Sequence, residues 1–435
     1  MTSYWRLVAF ILGLIQRDRS SNGLPMNSSP YYSFTSRRLG DSPATAAEGA
    51  EEGTARKLTA FNQTEITELE NLEQLLGIKL EYNLSTLIQL TSRNITHIPW
   101  TSSYWPNWRN GIGRPWEGNT TRSPAEKYGT CFDNPKFFGL VTKAYGVRSE
   151  QVGNIVPCTS NADCKGVTIS SSGCAKLPQE SSGKCMLKWY GLCHAWAPAS
   201  LMEDEPVCPV MYNNMLFQPF DIKALLIQAY DGALVETAFI GQRCLSDNND
   251  TDKYGRYLSP ERLDINAGSF FIAVMNLIGL HDKGFILDKD AGRPVWNQPA
   301  FGYQIKKFAM VDPKQVVKDL YHTDTYPFND KMERLAYVKL KLYWMGEQIS
   351  NRPSISTGRY QRAVKSSTYH MLLELNDGYE ILGGEFIKNS TRIHPDFIWL
   401  MKEPAPADTL TNLGLRLSDV RDLVKKSREC LKKPQ

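Results

Sequence analysis

Between positions 64 and 88 the apolar residues step by three and four: Ile66, Leu69, Leu72 and Leu76 up to Gly77, then Leu80, Leu84, Leu87 and Ile88. Such spacing puts one apolar stripe on each of two helices, so the region 59–125 is expected to open with a helical hairpin. Further along, the period changes to two. Residues 335–343, 369–375 and 379–386 alternate, and Asn376-Asp377-Gly378 is a hairpin signal, so antiparallel strands are predicted there. Residues 313–320 read as a short helix, 303–305 as the start of a strand, and 418–432 as an amphipathic basic helix. The pattern as a whole defines an α+β chain, and 435 residues suffice for two or three domains.

The first residues change the picture. Arg6 precedes an apolar run over 7–15, the length of a signal-peptide core and too short to span a bilayer, so residues 1–17 are expected to direct export. Residues 18–58 are rich in Ser, Gly, Ala, Arg and Glu without apolar periodicity and read as a disordered leader. Asn-x-Ser/Thr sequons at Asn27, Asn62, Asn83, Asn94, Asn119, Asn249 and Asn389 carry meaning only on a secretory route. A secreted, extracellular protein with no stable membrane span is therefore expected. The net charge of +4, without a basic stripe interleaved with aromatics, excludes dedicated nucleic-acid binding.

Cysteine usage agrees with export. There are nine, four of them at 158, 164, 174 and 185 in a stretch of Ser, Gly, Asn and Lys too polar to hold its shape by apolar burial. Disulfides are the natural staple for such a loop, and the spacings lack the paired cysteines of structural zinc sites. An odd total leaves one thiol over, assigned here to Cys193, with the other eight available for pairing. Gly191 permits a close backbone approach beside it, and Pro198 fits the first turn of a helix through 199–202. A thiol just ahead of a helix terminus gains from the unpaired amides there, which favour a thiolate and can later hold an oxyanion.

The stretch Gly191-Leu-Cys-His-Ala-Trp196 and the stretch Val295-Trp-Asn-Gln-Pro-Ala-Phe-Gly-Tyr-Gln-Ile305 carry a resemblance. Segments 99–108 and 123–128, Gly383-Gly-Glu-Phe386 and His394-Pro-Asp-Phe-Ile-Trp399 share it. Together they resemble the oomycete transglutaminase elicitor family. The resemblance implies a papain-like cysteine-nucleophile core over 126–310, with the disulfide-rich loop 158–185, followed by an antiparallel sheet domain over 311–435. It also implies protein cross-linking, in which Cys193 takes an acyl group from a glutamine carboxamide and passes it to a lysine amine. Partners would then be glutamine- and lysine-bearing proteins.

Family likeness further assigns Val295, Trp296, Asn297, Gln298, Pro299, Gly302 and Tyr303 to an elicitor-type segment that plants detect, read here as an exposed aromatic-proline loop beside the groove. Alignment of a strand-like stretch over 264–279 puts Phe271 where the family has its catalytic histidine, with Asp288 as orienting acid 17 positions on. His194 follows the nucleophile directly, and side chains one apart on a helix diverge by about 100°. It is therefore not expected to take the thiol proton. Two readings follow: an acyltransferase, and a pseudoenzyme that keeps the scaffold for binding or elicitation. Calcium is implied as a cofactor by the resemblance, and 247–252 is the most acidic loop available.

Overall fold

The computed structural model describes residues 63–432 apart from 119, 151–155, 168–170, 245–249, 260–261 and 263. The expected signal peptide, the leader, and Asn27, Asn62, Asn119 and Asn249 lie outside the described residues. In chain order the elements begin with helix α1 (Gln63–Leu76), the single turn α2 (Leu84–Leu87), strand β1 (Ser92–Asn94), and helices α3 (Pro124–Cys131) and α4 (Phe137–Tyr145). Short strands β2 (Pro157–Cys158), β3 (Ser172–Ala175) and β4 (Gly183–Leu187) precede helix α5 (Cys193–Met202). Next come the hairpin β5 (Val210–Tyr212) and β6 (Met215–Phe217), helix α6 (Pro219–Asp231), strand β7 (Thr237–Gly241) and helix α7 (Ala267–Val274). Strands β8 (Phe285–Asp288) and β9 (Asn297–Val311) lead to the turn α8 (Pro313–Val316), then β10 (Arg334–Met345), β11 (Val364–Leu375), β12 (Ile381–Phe386), β13 (Phe397–Met401) and helix α9 (Leu417–Arg428).

One antiparallel sheet organises the molecule, in the order β12-β11-β10-β9-β8-β13-β7, with β1 added on β9. Its logic is legible in β10. Ala336, Val338, Leu340 and Leu342 are fully buried, while Tyr337, Lys339, Lys341 and Tyr343 between them are half-buried on the other face. Each core side chain of this size contributes about 1.5–3 kcal/mol by leaving water. The expected strands at 335–343, 369–375 and 379–386 are present, and the turn after β11 is closed by a hydrogen bond from the Tyr379 amide to the Asn376 carbonyl. The sheet does not respect a division at 310/311. That boundary falls inside β9, and β7, β8 and β13 come from either side of it, so the sheet belongs to the same layer as the segment expected to form a separate core.

The helical hairpin is not formed. Helix α1 lies against β7 through Leu69, Leu72 and Leu75, all buried, with Ile66 exposed. The second helix is only one turn, because the chain around it is fixed by partners distant in sequence. The Glu81 amide donates to Asn276 Oδ1, the Leu84 amide to the Tyr379 carbonyl, and residues 92–94 pair with β9. Those bonds satisfy backbone groups that a longer helix would have used internally.

The stretch over 264–279, expected as a strand, is helical. Asn266 Oδ1 accepts from the Gly268 amide at 2.7 Å and caps α7, and a wider-wound turn continues it through Met275–Leu280. Its apolar run is buried on every side, a pattern that fits a core helix as well as a strand. Gly268 lets α7 sit directly on Gly383 of β12; a Cβ there would meet the Gly383 carbonyl carbon at 2.5 Å. The basic C-terminal helix is observed as α9, with Leu417, Val420, Leu423 and Val424 inward.

Disulfides join Cys158 to Cys174, Cys164 to Cys185 and Cys208 to Cys430. The first two staple the polar loop as expected, and the third ties the end of α9 to the chain beyond α5. The expectation of eight paired cysteines fails: besides Cys193, Cys131 and Cys244 are reduced and buried within their own packing environments. Among the described residues no helix is long and apolar enough to cross a membrane.

Candidate active site

Cys193 is the first residue of α5, rather than preceding a helix that begins at Pro198. Proline therefore sits in the second turn, where its missing N–H leaves the His194 carbonyl without its usual helical donor. The turn before the helix is held against 104–107 by two backbone bonds, Leu192 amide to Tyr104 carbonyl at 2.5 Å and Asn107 amide to Tyr190 carbonyl at 2.9 Å. Gly191 permits this approach, since a Cβ would collide with the Tyr104 carbonyl. The thiol thus sits buried at the positive end of a helix, beside an opening amide that has no carbonyl partner within the helix.

Strand β9 supplies the opposite wall. Cys193 Sγ donates to the Val295 carbonyl at 3.8 Å, and Asn297 Nδ2 points at the sulfur from 3.9 Å. Asn297 is oriented in turn, because its Oδ1 accepts from Trp399 Nε1 at 2.8 Å and the Trp399 ring stacks on Phe239. An amide held in this way is a preformed donor for negative charge developing beside the sulfur.

His194 is placed where sequence reasoning did not put it. Its Nε2 meets Asp231 Oδ1 at 2.7 Å, and the Cys193 side chain is near enough to raise its pKa. Helical side chains lean toward the N-terminus, so residue 194 tilts back over residue 193, whose predecessor Leu192 (φ −101°, ψ 32°) is already outside helical geometry. With Nε2 committed to Asp231, Nδ1 is the nitrogen left for the thiol. Burial alone lowers the imidazole pKa. The Asp231 hydrogen bond and the neighbouring Cys193, with the charges of both groups, overcome it and raise the value to about 9. Asp231 closes α6, where Gln228 Nε2 donates to its other oxygen at 3.3 Å and Tyr145 hydrogen-bonds it. The presence of a histidine beside the cysteine was visible in the sequence; nothing in sequence signalled Asp231, 37 positions away.

Phe271, aligned with the family histidine, and Asp288, expected as orienting acid, are placed differently from each other. Phe271 is fully buried in α7, which packs on β11 and β12, whereas α5 packs on α6, β8 and β9. Asp288 is close to the site but holds backbone: its Oδ1 accepts from the Trp296 amide at 2.8 Å, while Oδ2 is buried without a hydrogen-bond partner. Burial raises its carboxyl to about 8, against the backbone bonds that lower it. Nearby, Asp396 is also raised, by burial and then by Asp264 and Asp288. His394 bridges Asp264 (2.7 Å) and the Ser390 carbonyl (2.8 Å) while stacking on Phe386, a packing role.

The elicitor-type segment is a strand rather than an exposed loop. From Asn297 through Tyr303 every residue is buried, and Asp288↔Asn297 to Phe285↔Ala300 pair across β8 and β9. Pro299 is tolerated because pairing with β10 reaches only as far as Ala300, which leaves no ladder bond for its missing N–H. Val295 and Trp296 are half-buried, and the Trp296 ring meets Tyr104 edge-on at 5.3 Å. Of the described sequons, Asn94 and Asn389 are exposed, whereas Asn83 caps α2 and donates Nδ2 to the Gly378 carbonyl at 2.9 Å.

Calcium, implied by the family resemblance, takes hard oxygen donors. It requires six to eight oxygen ligands. Asp252 spends Oδ1 on the Tyr254 and Arg256 amides and Oδ2 on Arg256 Nε, while 247–249 lie outside the described residues. Among the described residues the one grouping of potential ligands close enough for an ion is Cys158, Cys164 and Cys185, whose sulfurs are in disulfides.

A curled antiparallel sheet, a reduced cysteine at a helix start and a sheet strand facing it with an amide define a mixed α+β protein of the transglutaminase type. The crystal structure of the GP42 transglutaminase from Phytophthora sojae is similar: TM-score 0.75 at 34% identity, covering 85% of this chain and 99% of that one. The chain belongs to the transglutaminase elicitor family, whose model matches residues 68–430. No curated protein sequence matches it.

Proposed function

We propose that the protein is a secreted, cysteine-dependent acyltransferase that joins protein glutamine to lysine amines. The observation that carries this reading is the buried chain Cys193–His194–Asp231, which supplies the base that Phe271 does not. His194, whose pKa is raised to about 9 against burial by Asp231 and Cys193, takes the thiol proton, and the imidazolium so formed pairs with the Cys193 thiolate. The thiolate attacks the carboxamide carbon, and charge moves onto the carbonyl oxygen beside Asn297 Nδ2 and the helix start. His194 gives its proton to the departing nitrogen, ammonia leaves, and a thioester remains on Cys193. A lysine amine then attacks that carbonyl, its proton passes to the neutral imidazole, and the amide forms as the sulfur departs. A cysteine at a helix start facing a sheet supports the papain-like description of this core.

One observation favours the second reading, a pseudoenzyme kept for binding or elicitation: Cys193 is only 4% exposed, so no carboxamide reaches it without displacement of the Trp296 segment. Perception of 295–303 by a plant receptor would likewise require release of a strand now buried. Incorporation of a labelled amine into a glutamine-rich protein separates the readings. We expect activity in the wild type that is lost in Cys193→Ala and falls at least about 10²-fold in His194→Gln. Silence in a folded wild type would favour the pseudoenzyme.

A further inference from the structure

A cavity of about 510 Å³ lies between 108–118 and the disulfide-stapled loop. Its lining includes Arg109, Arg114 and Lys176 and no acidic side chain. None of the three cations forms an ion pair among the described residues. Lys176 donates to the Thr159 and Ser181 carbonyls at 2.8 and 3.4 Å, both neutral acceptors. Arg114 is held below its usual range by burial and then by the charge of Arg109, as expected of two cations with no carboxylate between them. Of the acids next to the lining, Glu180 pairs with Arg148 and Glu117 with Lys127, and Asp163, held by Thr159 and Ser160, offsets one of the three cations, which leaves a net positive rim.

Arg109 is exposed and its guanidinium lies 4.5 Å from the centre of the Trp108 ring. Stacking fixes the plane of the group while leaving its N–H fork available for a bidentate anion. The Trp108 ring is covered by that guanidinium and by the Gly173 backbone. Pro115, Trp116, Leu177 and Pro178 add an apolar wall, so the three cations set the sign of charge the cavity takes and the apolar wall packs the rest of the ligand. The lining segment 108–118 follows directly on 104–107, whose Tyr104 and Asn107 hold Tyr190 to Leu192 by backbone bonds and so link the cavity to the turn before Cys193.

We infer that this cavity binds an acidic polypeptide segment, carried by the acyl-donor protein near its reactive glutamine, through Arg109, Arg114 and Lys176. The inference rests on the acyltransferase reading for the identity of the protein, though not for the binding itself. The test uses the full chain and a short Glu- and Asp-rich peptide without glutamine or lysine, titrated by calorimetry at low and high salt. We expect saturable binding that weakens with salt and that falls roughly tenfold for each charge-assisted bond lost, in Arg109→Ala and in Arg109→Ala/Arg114→Ala. Because Arg109 is exposed, Arg109→Glu retains the fold and should abolish binding if the double variant does not fold. Unchanged affinity in these variants, no binding to the wild type, or preference for an oligouronate over the peptide would each overturn the inference. Peptide binding in a wild type that incorporates no amine would sink the acyltransferase reading alone; amine incorporation without peptide binding would sink the cavity alone.

Discussion

Replacing Asp231 by Asn keeps the shape of the group that holds His194 but removes its charge. A buried imidazole raised from 6.5 to about 9 binds its proton more tightly in the folded chain than in the unfolded one. At about 1.4 kcal/mol per pH unit, the rise corresponds to about 3 kcal/mol. Since the folded pKa is the higher, that stability is fully present below pH 6.5 and is lost as pH climbs through 9. In Asp231→Asn burial is opposed only by the thiol, so the imidazole should titrate below 6.5 and the decline between 6.5 and 9 should vanish. Two measurements check this: a histidine carbon-13 titration to locate the midpoint, and urea unfolding of both proteins at pH 6 and pH 9.5, compared as a difference so that other groups cancel. A midpoint near 9 in the variant, or the same loss of stability in both proteins, would refute the argument that Asp231 sets the charge of His194.

Three other outcomes are expected. Asn297→Ala removes the donor facing the sulfur and should lower kcat by about 10²–10³ with little change in KM, while the Trp399 indole left without its partner costs about 1–3 kcal/mol in a thermal melt. Asp288 carries a folded pKa of about 8 against 3.8, so the folded chain loses stability as pH rises between those values. Asp288→Asn should flatten that loss in denaturant titrations at pH 5 and 8.5 and retain amine incorporation; loss of turnover without loss of fold would restore an orienting role to this carboxyl. Breaking the 208–430 disulfide as Cys208→Ser/Cys430→Ser opens a loop of separation 222, and the melting temperature should drop in line with about 5 kcal/mol of chain entropy restored to the unfolded state.

What the sequence determined by itself is whatever depends on near neighbours. Alternation set β10, β11 and β12, Asn-Asp-Gly set the turn between the last two, the amphipathic stripe set α9, and the polar cysteine-rich loop was stapled as its composition demanded. The motif around Cys193 likewise marked the family. Tertiary structure decided the rest, wherever distant segments compete for the same backbone groups. Asn276 and Tyr379 took bonds that a second N-terminal helix needed, so the hairpin became one helix and one turn. Full burial made 267–274 a helix where an apolar run alone fits either element, and pairing with β8 and β10 turned the segment 297–303 from a surface loop into an interior strand. The His194–Asp231 contact is of the same kind. His194 and Asp231 meet only because α5 packs on α6, and a carboxylate 37 positions distant acquires its meaning from that contact, which no local pattern of residues encodes.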